Sequence, residues 1–321
     1  MSTLPLSYLS ASGERAGTIL PLTYWTVIVS VLVCVIIAAL LIAAIRHSGA
    51  KRGSAPDMQH APLLTGGTGT RWISLGVGLS VLPLLVTLIW TMVALARVAG
   101  PPDDARLTLD VTAYQWWWQV RYDAAEPSQT FTTANEIHIP VGQRVLIRLH
   151  GGDVIHSFWV PQLTGKTDLI PGQVNVAWLQ AAQPGRYRGQ CGEYCGFQHA
   201  HMQFEVVAES AADFERWRSH QLEDAPTPTT PAQGHGLEIV EFRCGLCHEV
   251  RGTTAGAVTA PDLTHVMSRQ MIAAGTLPTG VGTLGSWIEA AADLKPGTLM
   301  PNQHLSPSDL SDTLAYLETL Q

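Results

Sequence analysis

The chain has 321 residues, enough for two or three domains, because single hydrophobic cores usually stop growing before that length. Its formal net charge of −7 divides into +4 up to Arg97 and −11 beyond it. This balance argues against a nucleic-acid-binding protein, which needs a basic patch to displace the counterions of phosphate. Five cysteines are too few for a disulfide framework in a chain of this length. Their placement instead indicates two local sites, with Cys34 as inert packing in an apolar run.

Two uncharged apolar runs, residues 23–45 and 73–96, are each long enough to cross about 30 Å of hydrocarbon as a helix. The segment between them carries an excess of basic side chains: Arg46, Lys51, Arg52 and Arg71 against Asp57. Because positively charged short loops stay on the cytoplasmic side, we predict a transmembrane hairpin with both chain ends outside. We predict that the first run is an uncleaved helix. The alternative is a signal peptide that is cleaved near residues 11–13.

From residue 107 to about residue 207 the sequence changes to short alternating segments rich in Val, Ile, Thr and aromatic residues. Examples are 107–111, 136–140 and 144–150, and Gly and Pro separate such segments. This pattern predicts an all-β sandwich or barrel. A helical stretch at 211–223 leads to residues 224–233, whose Pro-Thr composition is typical of a stiff extended linker.

A separate domain should follow the linker, with helices around 236–243, 284–292 and 307–320. The predicted organisation is therefore a multidomain membrane protein with three parts. Residues 1–99 form the N-terminal segment and transmembrane hairpin, 100–224 the β domain, and 225–321 the linker and a helical domain.

The segment from Cys191 to Met202 places two thiols, an imidazole and a thioether within twelve residues. Soft sulfur donors together with imidazole select copper. Two cysteines on one tight loop can bridge the same pair of metals, after which His199 and Met202 can cap them. His156, 35 residues before Cys191, supplies the early histidine that cupredoxin sites combine with a late Cys-to-Met loop. A disulfide between Cys191 and Cys195, or zinc, is the alternative, but neither explains the position of Met202.

Cys244-Gly-Leu-Cys247-His248 is the attachment pattern of c-type haem, in which two thiols bond to the vinyl groups and the histidine binds the iron. Zinc binding or redox use of the thiols are the rival interpretations. Met300 is the expected second axial ligand, and a thioether there would raise the reduction potential. Four other side chains compete for that role: His265, Met267, Met271 and His304.

The first cluster, Cys-x-Glu-x-Cys-Gly-x-x-His-x-x-Met preceded by Asp-Val-x-His-Ser, resembles the dinuclear copper A signature of cytochrome c oxidase subunit II. The resemblance implies that Cys191 and Cys195 bridge two coppers, that His156 and His199 each hold one, that Met202 is a weak axial ligand and that Glu193 ligates through its backbone carbonyl. It also implies that the Glu193 carboxylate reaches a magnesium ion at the boundary with the catalytic subunit, a metal suited to hard oxygen ligands. Three further histidines, His138, His150 and His201, fit no such pattern and are expected to be surface or structural residues.

Two other segments carry the same resemblance. The aromatic run from Tyr114 to Tyr122 resembles the stretch in which an exposed tryptophan passes incoming electrons to copper, and Trp116 matches that position. The residues after the linker resemble a class I cytochrome c. The implied folds are a cupredoxin-like β domain and an all-α cytochrome c domain.

The resemblance implies the electron-input subunit of a respiratory terminal oxidase. Electrons would pass from a donor through haem c and copper A to the catalytic subunit that reduces oxygen to water, so this chain would belong to a multi-subunit oxidoreductase and translocase. The implied partners are subunit I, subunit III, membrane lipid and a donor such as cytochrome c or a quinol–cytochrome c reductase. The implied location is the inner membrane of a bacterium, with the soluble domains on the periplasmic face.

Two rival functions remain open from the sequence: the electron-input subunit of a copper A nitric oxide reductase, and a membrane-anchored copper-binding module. One position also departs from the family pattern. Many subunit II sequences have a glutamate seven residues before the proline of the second helix, and counting back from Pro83 gives Gly76. Because an intramembrane carboxylate usually marks a proton path, we expect the proton path to begin elsewhere.

Overall fold

The computed structural model describes residues 6–49, 69–100 and 104–321. The chain divides into two compact units. One consists of Met1–Gly17 and Pro101–Gln321, and the other of Thr18–Gly100. Each unit has its own set of contacts and is described separately.

Two helices form the Thr18–Gly100 unit, α1 (Glu14–Gly49) and α2 (Gly69–Val98). Both are long and apolar enough to cross a membrane, and both extend beyond the uncharged runs. The indole Nε1 of Trp25 donates to Thr87 Oγ1 at 2.9 Å, and the Thr87 hydroxyl donates to the carbonyl of Pro83 at 2.8 Å. Such polar contacts join helices where lipid offers no partner. Of the basic loop, Lys51, Arg52 and Asp57 lie outside the described residues, so the orientation of the hairpin stays a prediction.

Within the described part of the unit that contains Pro101–Gln321, residues 104–209 form a β-sandwich of two five-stranded sheets. In chain order the strands are β1 (Leu107–Tyr114), β2 (Trp117–Tyr122), β3 (Phe131–Ala134), β4 (Glu136–Pro140), β5 (Val145–Gly151), β6 (His156–Trp159), β7 (Thr167–Leu169), β8 (Val174–Leu179), β9 (Gly185–Cys191) and β10 (Gln203–Glu209). One sheet has the order β3-β2-β1-β5-β8 and the other β4-β10-β9-β6-β7. The predicted cupredoxin-like β fold is confirmed.

Alternation of buried and partly exposed residues explains why the two sheets stack. Along β1, Leu109, Val111 and Ala113 are fully buried while the residues between them are not. The facing sheet contributes Phe158 and Phe204. Trp118 packs against both, with its ring centroid 6.1 Å from that of Phe158 and 4.9 Å from that of Phe204. Side chains that alternate across a strand bury one face only, which is what a two-layer sandwich requires.

A short helix, α3 (Ala211–Gln221), closes one end of the sandwich. Ser210 caps it by accepting a hydrogen bond from the backbone N–H of Asp213. Its Trp217 ring stacks on the imidazole of His138 with centroids 4.0 Å apart. His138 also lies between two carboxylates, with Nε2 2.9 Å from Glu136 and Nδ1 2.8 Å from Glu209. The prediction of a structural role for His138 thus has a physical basis.

This buried cluster predicts that stability depends on pH. Burial alone would lower the pKa of His138, and the hydrogen bonds to Glu136 and Glu209 outweigh it and raise that pKa. The protonated ring therefore stabilises the sandwich fully below about pH 6.5, its unfolded value, and that contribution is lost as pH rises through the raised pKa. We expect hydrogen exchange in β4 and β10, corrected for intrinsic rates, to become faster over that range. The variant His138→Gln should abolish the dependence, and an unchanged dependence in that variant would contradict the assignment.

The segment after α3 is attached to the helical part of the unit. The backbone N–H of Ala225 donates to the carbonyl of Arg251 at 2.9 Å. Helix α4 (Pro231–Ile239) begins inside the predicted linker at Pro231, where Thr230 and Gln233 form a reciprocal capping box. The described linker is therefore shorter than the predicted 224–233.

The remaining elements are the strand pair β11 (Met271–Ile272) and β12 (Leu277–Pro278), helix α5 (Val281–Leu294) and helix α6 (Pro307–Leu317). The three predicted helices are present, although the first starts five residues earlier and gives way to a π-turn at Val240–Cys244. Apart from the two-residue strands the domain is helical, as expected. A second hydrophobic core lies here, centred on Val240, Ile288 and Tyr316.

Helices α4 and α6 cross at Gly236, and this contact leads to a stability prediction. A Cβ atom at Gly236 would lie 2.0 Å from the carbonyl oxygen of Asp312, so Gly236→Ala must push the helices apart. We expect it to destabilise the domain by about 1–3 kcal/mol or more. The control is Gly234→Ala in the same helix, where a Cβ meets nothing within 4 Å and alanine is the better helix former. Hydrogen exchange across α4 and α6 measures the difference. Equal exchange in the two variants would contradict the prediction.

Candidate metal centres

Strand pairing brings the two halves of the first cluster together. Strand β6 pairs antiparallel with β9, and Phe158 lies opposite Cys191. His156 is the first residue of β6 and therefore lies beside the end of β9. After Cys191 the chain turns through a short 3₁₀ helix at His199–His201 and returns as β10. The backbone N–H of Cys191 donates to the carbonyl of Met202 at 3.0 Å, which closes the loop.

The donor atoms of the predicted copper ligands converge inside this loop. Cys191 Sγ lies 3.7 Å from Cys195 Sγ and 3.9 Å from His156 Nδ1. Cys195 Sγ in turn lies 3.6 Å from His199 Nδ1 and 3.8 Å from Met202 Sδ. Both cysteines are free, so the alternative of a disulfide between them is not what this structure has. Two adjacent sulfurs with an imidazole and a thioether around them make a donor set that fits copper.

Hydrogen bonding favours the thiolate form of Cys191, which is the form that binds metal. The hydrogen bond from Cys195 holds the pKa of Cys191 well below its usual range, although burial opposes it, and His156 acts in the same direction. The neighbouring Cys191 raises the pKa of Cys195. The ligand atoms of His156, Cys191 and Cys195 all lie within 4.8 Å of one another, and all three residues are buried. One thiolate is thus available at neutral pH before any metal binds.

Asp153 orients His156 and was not recognised from the sequence. Its Oδ1 lies 2.8 Å from His156 Nε2, while its Oδ2 accepts a hydrogen bond from the backbone N–H of Gln115 at 2.6 Å. With Nε2 engaged, Nδ1 is the nitrogen that faces Cys191. A carboxylate behind a ligating histidine fixes the ring and its tautomer. The Asp three residues before the histidine was the available sequence signal.

The backbone carbonyl and the side-chain carboxylate of Glu193 lie in different surroundings. Its backbone carbonyl oxygen lies 3.2 Å from Cys191 Sγ, inside the cluster. Its carboxylate belongs to an exposed residue beside Tyr194, which is also exposed. The arrangement leaves the carboxylate available to a neighbouring molecule.

The second cluster begins where α4 ends. The π-turn at Val240–Cys244 leads directly into the Cys-x-x-Cys-His motif, and the backbone N–H groups of Cys247 and His248 donate to the carbonyl of Cys244. The His248 Nδ1 lies 2.6 Å from the carbonyl oxygen of Pro261, which leaves Nε2 for a metal. Burial lowers the pKa of His248, so the ring is neutral, the form that ligates.

Exposed apolar side chains accompany this motif in the helical domain. Phe242 and Leu246 lie in and beside the motif, and Val258 and Leu299 follow it in the chain. Large apolar side chains left exposed in a soluble domain are available to an apolar ligand. Two thiols, a neutral imidazole and exposed apolar side chains therefore fit haem.

Met300 packs against the second hydrophobic core, as an axial ligand of a haem in that domain would. The competing side chains differ from it. Both ring nitrogens of His265 are engaged, Nδ1 with the carbonyl of Gln321 at 2.6 Å and Nε2 with that of Glu223 at 3.2 Å. Met267 also packs against that core, Met271 lies in β11 and His304 is exposed. The engaged ring nitrogens of His265 therefore argue against it as the second axial ligand.

Trp116 is not exposed, contrary to what the resemblance implied. Its relative exposure is 7%, and its indole Nε1 donates to the carbonyl of Cys195 at 3.0 Å. Gln115 donates to the same carbonyl at 2.7 Å. A Cβ atom at Gly297 would lie 3.1 Å from the Trp116 ring, so the Met300 segment covers it. Trp116 is buried between the Cys195 carbonyl and Gly297 rather than lying at the protein surface.

Comparison with known proteins agrees with the two sites. Residues 123–210 match the family described as cytochrome c oxidase subunit II, periplasmic domain, and residues 235–321 match cytochrome c. Cytochrome c oxidase subunit 2 of Alkalihalophilus pseudofirmus is 32% identical over 98% of this chain and 91% of that protein. The same subunit of Bacillus sp. strain PS3 is 30% identical over 74% of this chain and 70% of that protein. The crystal structure of the periplasmic domain of subunit II of cytochrome oxidase of Bradyrhizobium japonicum covers 38% of this chain and 96% of its own, with 31% identity and a TM-score of 0.36.

Two apolar helices, a sulfur-rich cupredoxin-like domain and a cytochrome c domain define a membrane-bound electron-transfer subunit. More narrowly, the chain belongs to the cytochrome c oxidase subunit II family. It is an electron-input subunit of a haem-copper oxidase, and the enzyme activity lies in the full complex. The cytochrome c domain implies haem and the subunit II domain implies copper.

Proposed function

We propose that this chain carries electrons from a donor through covalently bound haem c and dinuclear copper A to the catalytic subunit that reduces oxygen to water. The convergence of the donor atoms of His156, Cys191, Cys195, His199 and Met202 at separations of 3.6–3.9 Å carries the proposal. When bound, both groups supply one-electron redox chemistry and this chain supplies their positions.

The ligand loop would hold copper through its sulfur and nitrogen atoms. The residues that would hold the copper are Cys191 and Cys195, His156 and His199, with Met202 as a weaker ligand and the backbone carbonyl of Glu193 completing the set. The strand pairing of β6 with β9 and the Asp153 contact fix these atoms before metal arrives. A rigid site reduces the rearrangement that accompanies each electron transfer, which favours speed.

In the cytochrome c domain, Cys244 and Cys247 would hold the haem covalently, and His248 and Met300 would be the ligands of its iron. The Pro261 carbonyl holds the His248 ring in the orientation that frees Nε2. The nine acidic and four basic residues from 225 to 321 favour a donor with a basic face.

We also propose the partners of the subunit, its location and its domain limits. The exposed Glu193 carboxylate would reach magnesium at the boundary with subunit I, with subunit III as a further partner. Electrons would come from cytochrome c or a quinol–cytochrome c reductase. The two helices would lie in the inner membrane of a bacterium with both termini and the soluble domains periplasmic, and the domain limits would be 1–99, 100–224 and 225–321.

Metal analysis of the full chain tests the proposal. The chain is produced in a membrane with haem-attachment machinery, purified in detergent and assayed for copper and iron, together with electron paramagnetic resonance. We expect about two coppers and one iron per chain and a mixed-valence copper signal. Iron accompanied by zinc, or by no second metal, would overturn the proposed path. Co-purification with a large haem-bearing subunit that consumes oxygen separates an oxidase from a nitric oxide reductase or a copper carrier.

A further inference from the structure

The side chain of Lys295 crosses from the cytochrome c domain into the sandwich. Lys295 is 2% exposed, and its Nζ donates to three backbone carbonyls, each at 2.9 Å. The carbonyls of Trp116 and His201 belong to the sandwich, and that of Ala273 to the cytochrome c domain. One buried side chain therefore binds both domains at once.

The chemistry of this contact is complete. Burial lowers the pKa of Lys295 to about 7. In its ammonium form the side chain has three N–H donors and no acceptor, and three carbonyl oxygens receive them. An unpaired ammonium at this depth would be strongly unfavourable, so the three carbonyls must remain in place for Lys295 to stay buried. If the domains separate, Lys295 therefore loses two of its three partners, the carbonyls of Trp116 and His201.

Further hydrogen bonds around Lys295 reinforce the same junction. Gln198 Nε2 donates to the carbonyl of Pro296 at 2.9 Å, and the backbone N–H of Gln203 donates to the carbonyl of Ala274 at 3.0 Å. Gly297 has φ of 89°, and its missing Cβ is what allows the loop to approach the Trp116 ring. The sandwich side of this junction is the copper loop itself, because Gln198 and Gln203 flank its last ligands.

We propose that Lys295 is a latch that holds the cytochrome c domain permanently docked on the copper loop, with the Met300 segment against Trp116. The domain does not search for its partner on a flexible tether. Trp116 joins the junction to Cys195 through its indole hydrogen bond, so the docked geometry gives one fixed contact route between the two clusters. The same docking closes Trp116 to soluble donors, so that electrons enter at the cytochrome c domain.

The docking stands on geometry alone, whereas its effect on electron transfer rests on the proposed function. The first readout is therefore independent of redox activity: hydrogen exchange of the Gln203 N–H, which donates across the junction. In the full-length holoprotein, Lys295→Met keeps a similar side-chain length without donors. We expect exchange at Gln203 to become about tenfold faster or more, the effect of losing buried charge-assisted hydrogen bonds, with β5 unchanged. Exchange at Gln203 equal to that of the parent would overturn the latch.

Matched variants separate docking from general damage. Arg216→Met removes one cation from α3, where the side chain is 75% exposed, and should leave Gln203 exchange unchanged. Lys295→Gln keeps two N–H donors, so it should fall between the parent and Lys295→Met and remains informative if Lys295→Met fails to fold. Lys295→Gln as protected as the parent at Gln203 would also count against the latch.

Flash-induced electron transfer between the two centres is the second readout. In Lys295→Met we expect it to slow by about tenfold or more while the haem potential and copper spectrum stay those of the parent, because ligands are untouched and only their relative position changes. Faster Gln203 exchange with unchanged electron transfer would support the docking and overturn the inference that the Trp116 contact is the route between the two centres. Slow transfer with a shifted haem potential and unchanged Gln203 exchange would show damage within one domain and overturn the latch.

Discussion

Replacing Cys195 by serine is expected to abolish the copper centre. Cys195 Sγ lies within 3.9 Å of Cys191 Sγ, His199 Nδ1 and Met202 Sδ. It is therefore the central atom of the ligand loop, next to each of the other three donor atoms. A serine hydroxyl is a hard, protonated donor at neutral pH and cannot replace a bridging thiolate. We expect copper to fall from about two per chain to one or none, and electron delivery to the catalytic subunit to fall by more than a hundredfold, beyond the ~10–100-fold cost of altering outer partners alone.

The chain provides a matched control for this variant. Cys34 is a free cysteine in helix α1, remote in sequence from the ligand loop, and Cys34→Ser is expected to keep the full copper content. Metal analysis and electron paramagnetic resonance on both purified variants give the comparison. Retention of two coppers and a mixed-valence signal in Cys195→Ser would exclude Cys195 as a bridging ligand.

Local patterns carried most of the fold prediction. Uncharged runs predict α1 and α2, and alternating segments separated by Gly and Pro predict the sandwich, because both periodicities are properties of single elements. The ligand loop was predictable for the same reason, since Cys191 to Met202 is one short segment. His156 was selected by its chemistry, although its place at the start of β6 depends on which strands pair.

Contacts between distant surfaces could not be predicted. Glu209 reaches His138 only because β10 pairs parallel with β4, and nothing near His138 in the sequence indicates that register. Trp116 was expected to be exposed, and it is buried because Gly297, far along the chain, covers it. Lys295 looked like an ordinary loop lysine. Its function depends on carbonyl groups, which every residue possesses and which no sequence pattern distinguishes.

The second large effect is expected at the haem site, when its histidine ligand is replaced. The variant His248→Ala should remove the only ligand of the haem motif whose geometry is already set, because Nδ1 is held by the Pro261 carbonyl and burial keeps the ring neutral. Cys244 and Cys247 would still attach the haem, so iron content should stay near one per chain while the low-spin absorption spectrum is lost. We expect donor-driven reduction to fall by more than about a hundredfold, since the altered iron no longer has the potential set by two axial ligands.

The control for this prediction is His235→Ala in the same domain. His235 is half exposed and bonds Asp312, an ion pair at the surface that contributes little to stability. The two variants lose the same side chain, so a difference between their spectra isolates the iron ligand from general loss of packing. A low-spin spectrum retained in His248→Ala would mean that another side chain binds the iron, and Met267 or Met271 would then become the next candidates to replace. The order of these tests matters, because Met300 can be judged only against a confirmed first ligand.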